Sequence, residues 1–76
     1  MSGGPKKRSL TLRGHRTSVS LEDAFWREFR QIAADKSVPI NVLAATIDAE
    51  RELDVGLASA IRLFVLAELQ ARAARP

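Results

Sequence analysis

The chain has 76 residues, of which 46% are hydrophobic and 28% are charged, with no cysteine and one histidine. This length predicts one small domain, and the hydrophobic content is too high for a chain that is disordered throughout. Without cysteine, disulfide frameworks and thiolate zinc sites are excluded, and we expect no metal and no other cofactor.

The net charge of +3 is unevenly distributed along the chain. Residues 1–21 contain five basic side chains and no acidic one, whereas residues 22–76 contain seven basic and nine acidic side chains. Positive charge concentrated at one end is typical of a protein that binds a polyanion. The other interpretation is a basic tail that only improves solubility. The alternating segments beside these charges favour the polyanion binder.

The first segment, residues 1–8, predicts a flexible basic arm, because Gly3-Gly4-Pro5 has no periodicity and is followed by three basic residues. Residues 9–76 are then the folded domain. Within it, residues 9–13 alternate, with Leu10 and Leu12 on one side, and predict either a strand or a flanking arm. We favour a strand, with Arg13-Gly14 as the turn that follows it.

Residues 16–21 predict a second short strand. Thr17, Val19 and Leu21 alternate with Ser18 and Ser20, which is the period of a half-buried strand whose apolar side faces the helices. Such a strand needs a partner for its backbone and for its apolar side. No later strand offers one, so we expect it to pair with the same strand of a second copy.

Three helices are predicted after the strands, at about 22–36, 39–53 and 57–72. The first has Phe25, Phe29 and Ile32 at helical spacing on one side, and these aromatic residues are better explained as core than as a base-stacking platform. The third is apolar almost all round at residues 61–69, which predicts burial on more than one side and therefore a dimer core.

The order of these elements resembles the ribbon–helix–helix DNA-binding proteins of the Arc/CopG type over about residues 9–69. Residues 13–26, with the string RGHRTSVSLEDAFW, are similar to a bacterial subgroup with a Gly-His-Arg-Thr-Ser and Phe-Trp signature. The resemblance implies a mostly α-helical fold with a short β ribbon. It implies a homodimer whose strands pair antiparallel between chains, here with an additional C-terminal helix.

The resemblance also implies roles for individual residues. Outward strand residues of the family read base edges in the major groove, and the matching positions are Arg16, Ser18 and Ser20. The positions expected to contact phosphates or flanking DNA are Lys6, Lys7, Arg8, Arg13, His15 and Asn41. The residues expected in the dimer core are Val19, Leu21, Phe25, Trp26, Phe29, Leu43, Ile47, Ile61, Phe64 and Val65.

Two positions depart from the family pattern at the start of the second helix. Ser37 stands where glycine is usual, and a residue other than glycine is strained in the left-handed conformation of a helix end. Pro39 stands where serine or threonine is usual, and proline has no amide to donate to a phosphate. Asn41 and the amides of residues 40 and 41 can still contact one.

The sequence therefore predicts a cytoplasmic, nucleoid-associated bacterial regulator, a repressor that binds double-stranded DNA as a homodimer, with higher-order assembly on DNA left open. No phosphate-binding loop, nucleophile–base pair or metal-ligand cluster predicts an enzyme. The alternative is an antitoxin-like or adaptor module that binds a partner protein through its C-terminal helices. We expect no membrane association, because the basic segment lacks an amphipathic apolar side.

Overall fold

The computed structural model describes residues 3–75, and positions 1, 2 and 76, which include the first two residues of the predicted arm, lie outside them. The described part is a two-stranded antiparallel ribbon followed by three helices, as predicted. The elements are β1 (Lys6–Leu12), β2 (His15–Leu21), α1 (Asp23–Asp35), α2 (Ile40–Glu50) and α3 (Leu57–Ala73).

The ribbon forms within one chain. β1 pairs with β2 in a regular antiparallel register, from Lys6 opposite Leu21 to Leu12 opposite His15. The sequence predicted that β2 pairs with the same strand of a second copy, on the reasoning that the chain offers no cover for it. That reasoning is corrected, because β1 supplies a backbone partner and part of the apolar side. Pairing of a second copy along the other edge of β2 stays a prediction.

The turn between the strands explains why they pair locally. Arg13 and Gly14 both have positive φ angles, 52° and 83°, in a two-residue loop. Two successive left-handed residues make the hairpin turn whose twist matches that of the flanking strands. Gly14 adopts this conformation without steric cost, and the predicted Arg13-Gly14 turn is confirmed.

β1 begins three residues earlier than predicted. Lys6, Lys7 and Arg8 belong to this strand, opposite Leu21, Ser20 and Val19. Their assignment to a flexible arm is therefore corrected for these three positions. The backbone of the basic segment is held by strand pairing, so its side chains point alternately toward the helices and away from them.

The helix side of the ribbon closes a single small core. Leu10 from β1 and Val19 and Leu21 from β2 are all buried against the helices. Phe29 lies at the centre, fully buried, and its ring meets the Phe64 ring edge-on at a centroid distance of 6.3 Å. The buried helical residues are Phe29, Ile32, Ala33, Leu43, Ala44, Ile47, Ile61 and Val65.

The residues predicted as a dimer core pack inside the single chain. Phe25, Trp26 and Phe64 are half-buried, and the other seven are buried without any second copy. Their burial is therefore explained by the chain's own fold. A contact of these residues with a second chain stays a prediction.

The link between α1 and α2 is a left-handed helix end of the kind expected from the position of Ser37. Its φ angle is 55°, its amide donates to the Ala34 carbonyl, and the Val38 amide donates to the Ala33 carbonyl. These bonds satisfy carbonyls that the helix end otherwise leaves unpaired. Pro39 is the N-cap of α2, so this helix begins one residue later than predicted, and Pro39 makes no side-chain capping bond.

Replacing Ser37 with glycine is expected to stabilise the protein. A side chain in the left-handed region costs about 1–2 kcal/mol, part of which is offset by the greater freedom of glycine in the unfolded chain. We expect Ser37→Gly to raise the free energy of unfolding in urea by roughly 1 kcal/mol. The control is Ala34→Gly, an exposed position in ordinary helical conformation, which should lose about 1 kcal/mol. Destabilisation by both glycines would contradict the assigned strain.

Candidate nucleic-acid interface

The side of the ribbon that faces away from the helices is entirely polar. Residues opposite each other in an antiparallel register share one side, and the outward pairs here are Lys7–Ser20, Ser9–Ser18 and Thr11–Arg16. All six residues are exposed. Within residues 3–75 none of their side chains forms a hydrogen bond or an ion pair, so all six can contact a ligand. We call these six residues the outward face.

Arg16, Ser18 and Ser20, the predicted base-reading residues, all lie on the outward face. Their alternation with Thr17, Val19 and Leu21 was sufficient to place them there. Ser9 and Thr11 were missed as site residues. The signal was present, because they have the same parity in β1 as Lys7 and the opposite parity to Leu10 and Leu12.

Two of the residues predicted to contact phosphates, Lys6 and Arg8, form ion pairs with an acidic residue in this structure. Asp23, at the start of α1, accepts from Lys6 Nζ at 3.0 Å and from Arg8 Nη2 at 2.5 Å. The Arg8 side chain is only 15% exposed, it also donates to the Leu21 carbonyl, and its guanidinium lies 5.5 Å from the centre of the Trp26 ring. Arg8 thus fastens β1 to the junction of β2 and α1, on the helix side of the ribbon.

A second arginine fastens the same junction to α3. Arg62 donates to the Glu22 carboxylate at 2.8 Å and to the Ser20 carbonyl at 3.1 Å, with its guanidinium 5.7 Å from the centre of the Phe25 ring. This places α3 beneath the β2 half of the ribbon. No sequence pattern singles out Arg62, because it lies 40 residues from its carboxylate partner.

These contacts keep the two carboxylates at the junction ionised. Hydrogen bonds from Arg8 and then Lys6 lower the pKa of Asp23. The pKa of Glu22 is lowered mainly by a hydrogen bond from its own backbone amide and next by the one from Arg62. Both residues stay negative at neutral pH and cancel part of the positive charge on the helix side of the ribbon. The outward face has no acidic residue.

The lowered pKa of Asp23 predicts how acid affects stability. The folded-state pKa lies below the unfolded value of 3.8, so the ionised carboxylate stabilises the fold above about pH 4. That contribution is lost as the pH falls through the folded-state pKa. We expect the melting temperature of wild type to exceed that of Asp23→Asn above pH 4 and the two to converge below it. Asp54→Asn, which changes an exposed carboxylate without an ion pair in residues 3–75, is the control. A gap that does not depend on pH would contradict this role for Asp23.

Three other predicted flank residues lie near the tip of the hairpin or at the start of α2. Arg13, in the turn, and His15, opposite Leu12, are exposed. Asn41 is exposed too, but its Oδ1 accepts the Thr11 backbone amide at 3.0 Å. Asn41 therefore attaches the outer edge of β1 to α2. Its contact with a phosphate stays a proposal.

Two residues on the helix side of β2 are not covered. His15, opposite Leu12, and Thr17, opposite Leu10, both lie on this side, as predicted for Thr17, but both are exposed rather than packed on the helices. The helices do not reach beneath the tip of the hairpin, where Thr17 lines an open groove with Leu12, Ala45 and Leu57.

α3 has a second apolar side that faces solvent. Leu63 is 60% exposed, Leu66 is 50% exposed and Leu69 is 37% exposed. Leu63 and Phe64 also border a mainly apolar groove toward Ile47 and the end of α2. The sequence predicted burial of α3 on more than one side, and this chain buries only the side that carries Ile61 and Val65. We call Leu63, Leu66 and Leu69 the outer leucines.

The ribbon, the helices and the outward face together define a small β-ribbon domain with a polar, basic surface suited to a nucleic acid. The family model described as "Ribbon-helix-helix domain" matches residues 5–69, which is most of the chain. The chain belongs to the ribbon–helix–helix family. Members of this family are non-enzymatic domains that typically bind DNA as transcription regulators, usually as dimers.

Comparisons with individual proteins add nothing to the family match, since no curated protein and no solved structure matches the chain. Within residues 3–75, no helix has the length and hydrophobicity that crossing a membrane requires.

Proposed function

We propose that this protein is a sequence-specific regulator that binds double-stranded DNA as a homodimer, with the outward face of its ribbon in the major groove. The observation that carries the proposal is the outward face itself. Its six exposed polar side chains form no hydrogen bond or ion pair within residues 3–75, and two antiparallel strands fit the major groove, here the β2 strands of the two copies. We propose that it acts as a repressor in the bacterial cytoplasm and binds nucleoid DNA.

Specificity is assigned to β2. Arg16 can donate two hydrogen bonds to O6 and N7 of a guanine, which is the strongest single discrimination available to a side chain in the major groove. Ser18 and Ser20 are short and both donate and accept, so they discriminate more weakly. We also propose that the chain belongs to the subgroup with the Gly-His-Arg-Thr-Ser signature. Residues 14–18 carry this signature, which contains the turn glycine and the proposed base-reading residue Arg16.

A homodimer is supported by two surfaces in the same half of the molecule. β2 has an open edge, and the outer leucines lie on α3, which Arg62 holds beneath the β2 side of the ribbon. A run of exposed leucines along one helix forms an apolar patch, and such patches are more typical of protein contact surfaces than single exposed apolar residues are. One partner copy placed along β2 can approach both surfaces.

The proposed function is tested by selection from a pool of random DNA duplexes. Purified protein should enrich a site with two-fold symmetry, because the two half-sites are read by two identical chains. Each half-site should contain an invariant guanine for Arg16. Recovery of unselected sequences, with affinity that depends on salt alone, would contradict sequence-specific binding and leave only phosphate attraction.

The outer leucines also support a second candidate, an antitoxin-like or adaptor module that binds a partner protein through α3. Sedimentation of the purified protein separates the two. If a second copy covers the leucines, wild type is a dimer and Leu63→Glu with Leu66→Glu is a folded monomer. If they bind another protein, the double variant keeps the association state of wild type, because the leucines then take no part in contacts between copies. Deletion of α3 is unsuitable here, because Ile61 and Val65 belong to the chain's own core.

A further inference from the structure

The two edges of the ribbon differ in whether they can accept another strand. The Thr11 amide points away from β2, since it donates to the Asn41 side chain at 3.0 Å. Thr11 and Arg16 are opposite each other, so theirs is a pair without direct backbone hydrogen bonds. By the alternation of an antiparallel ladder, the backbone groups of Arg16, Ser18 and Ser20 then point out of the opposite edge of the ribbon.

The edge of β2 is the open one. The Ser20 carbonyl accepts from Arg62, which agrees with the alternation. Within residues 3–75, the amide and carbonyl of Arg16 and Ser18 have no partner on that edge. The edge of β1 is partly occupied, because Asn41 of α2 accepts the Thr11 amide near the tip of the hairpin. This contact favours β2 as the strand along which a second copy extends the sheet.

Pairing through β2 gives a four-stranded sheet in the order β1, β2, then the second copy's β2 and β1. Neighbouring strands are about 4.8 Å apart, so the outer strands are separated by roughly 14 Å. The major groove is only about 12 Å wide. The two central β2 strands can enter it, and the β1 strands at the sides then lie against the phosphate backbones.

From this geometry we infer that β1 is a phosphate-contacting flank of the interface, with Lys7, Ser9 and Thr11 as its contact residues. The inference rests on the proposed function and adds a division of labour to it, with β2 binding the bases and β1 binding the backbone. It also assigns one basic residue of the segment 6–8 to DNA. Lys7 lies on the outward face and has no ion-pair partner among residues 3–75, whereas Lys6 and Arg8 are held by Asp23 on the other side.

The test compares the salt dependence of binding for Lys7→Gln and Lys6→Gln, two neighbouring variants with the same change in charge. Each phosphate neutralised contributes about 0.9 to the slope of log affinity against log salt concentration. Loss of Lys7 from both copies should flatten the slope by about 1.8, whereas loss of Lys6 should leave it unchanged. Binding is measured on the selected duplex and on a scrambled duplex, for full-length protein.

Two results would overturn the inference. One is an equal slope for the Lys7 variant and wild type. The other is a loss of preference for the selected duplex in Ser9→Ala with Thr11→Ala, because a phosphate contact weakens binding to both duplexes equally. Failure of the proposed function is distinguishable from either result. In that case, wild type itself shows no preference between the two duplexes.

Discussion

Val19→Asp is expected to unfold the protein. Val19 is 5% exposed at the centre of β2 and packs within the core cluster with Leu10 and Leu21. The change removes roughly 1.5–3 kcal/mol of hydrophobic burial and adds the cost of an unpaired buried carboxylate, which is several kcal/mol. A domain of this length has a total stability of only about 4–11 kcal/mol. Circular dichroism should show loss of helical signal at neutral pH and 25 °C.

Ser18→Asp is the matched control, one residue along the same strand. Ser18 is exposed on the outward face, so a carboxylate there stays in water and folding should be unchanged. Binding to DNA should nevertheless be lost, since the new negative charge enters the major groove, where the flanking phosphates repel it. A folded Val19→Asp, or an unfolded Ser18→Asp, would contradict the assignment of the two sides of the ribbon.

The sequence predicted which residues of β2 face the helices and which face outward, because period-2 alternation is a local property of the chain. Arg16, Ser18 and Ser20 were placed outward on this basis alone. The same argument extended to β1 separates Lys7 from Arg8, but it requires the strand to begin at Lys6. The sequence did not show that the strand begins at Lys6, because a run of three basic residues is equally typical of a mobile arm.

The partner of β2 could not be fixed in the same way. Pairing depends on which strand reaches the edge of β2 in three dimensions, and a Gly residue after Arg13 allows a tight turn without requiring it. α3 presents a similar difficulty. Its sequence is apolar almost all round, so it predicts more than one buried side. Only the packing of Ile61 and Val65 shows which side belongs to this chain and leaves the outer leucines exposed.

Loss of sequence preference is the expected result of the triple variant Arg16→Ala, Ser18→Ala and Ser20→Ala. These side chains are exposed and form no hydrogen bond or ion pair in residues 3–75, so their removal should leave the fold and its melting temperature nearly unchanged. The arginine alone should contribute about 1–3 kcal/mol of discrimination at its base pair if it bonds a guanine through two hydrogen bonds. With two half-sites per dimer, the combined effect on the specificity ratio is larger still.

The most direct measurement is a competition titration of wild type and this triple variant against the selected duplex and a scrambled duplex of equal length, at one fixed salt concentration. We predict that wild type prefers the selected duplex and that the triple variant binds both with similar affinity, because phosphate contacts carry no sequence information. A triple variant that keeps the wild-type specificity ratio would contradict the claim that the outward face of β2 reads DNA.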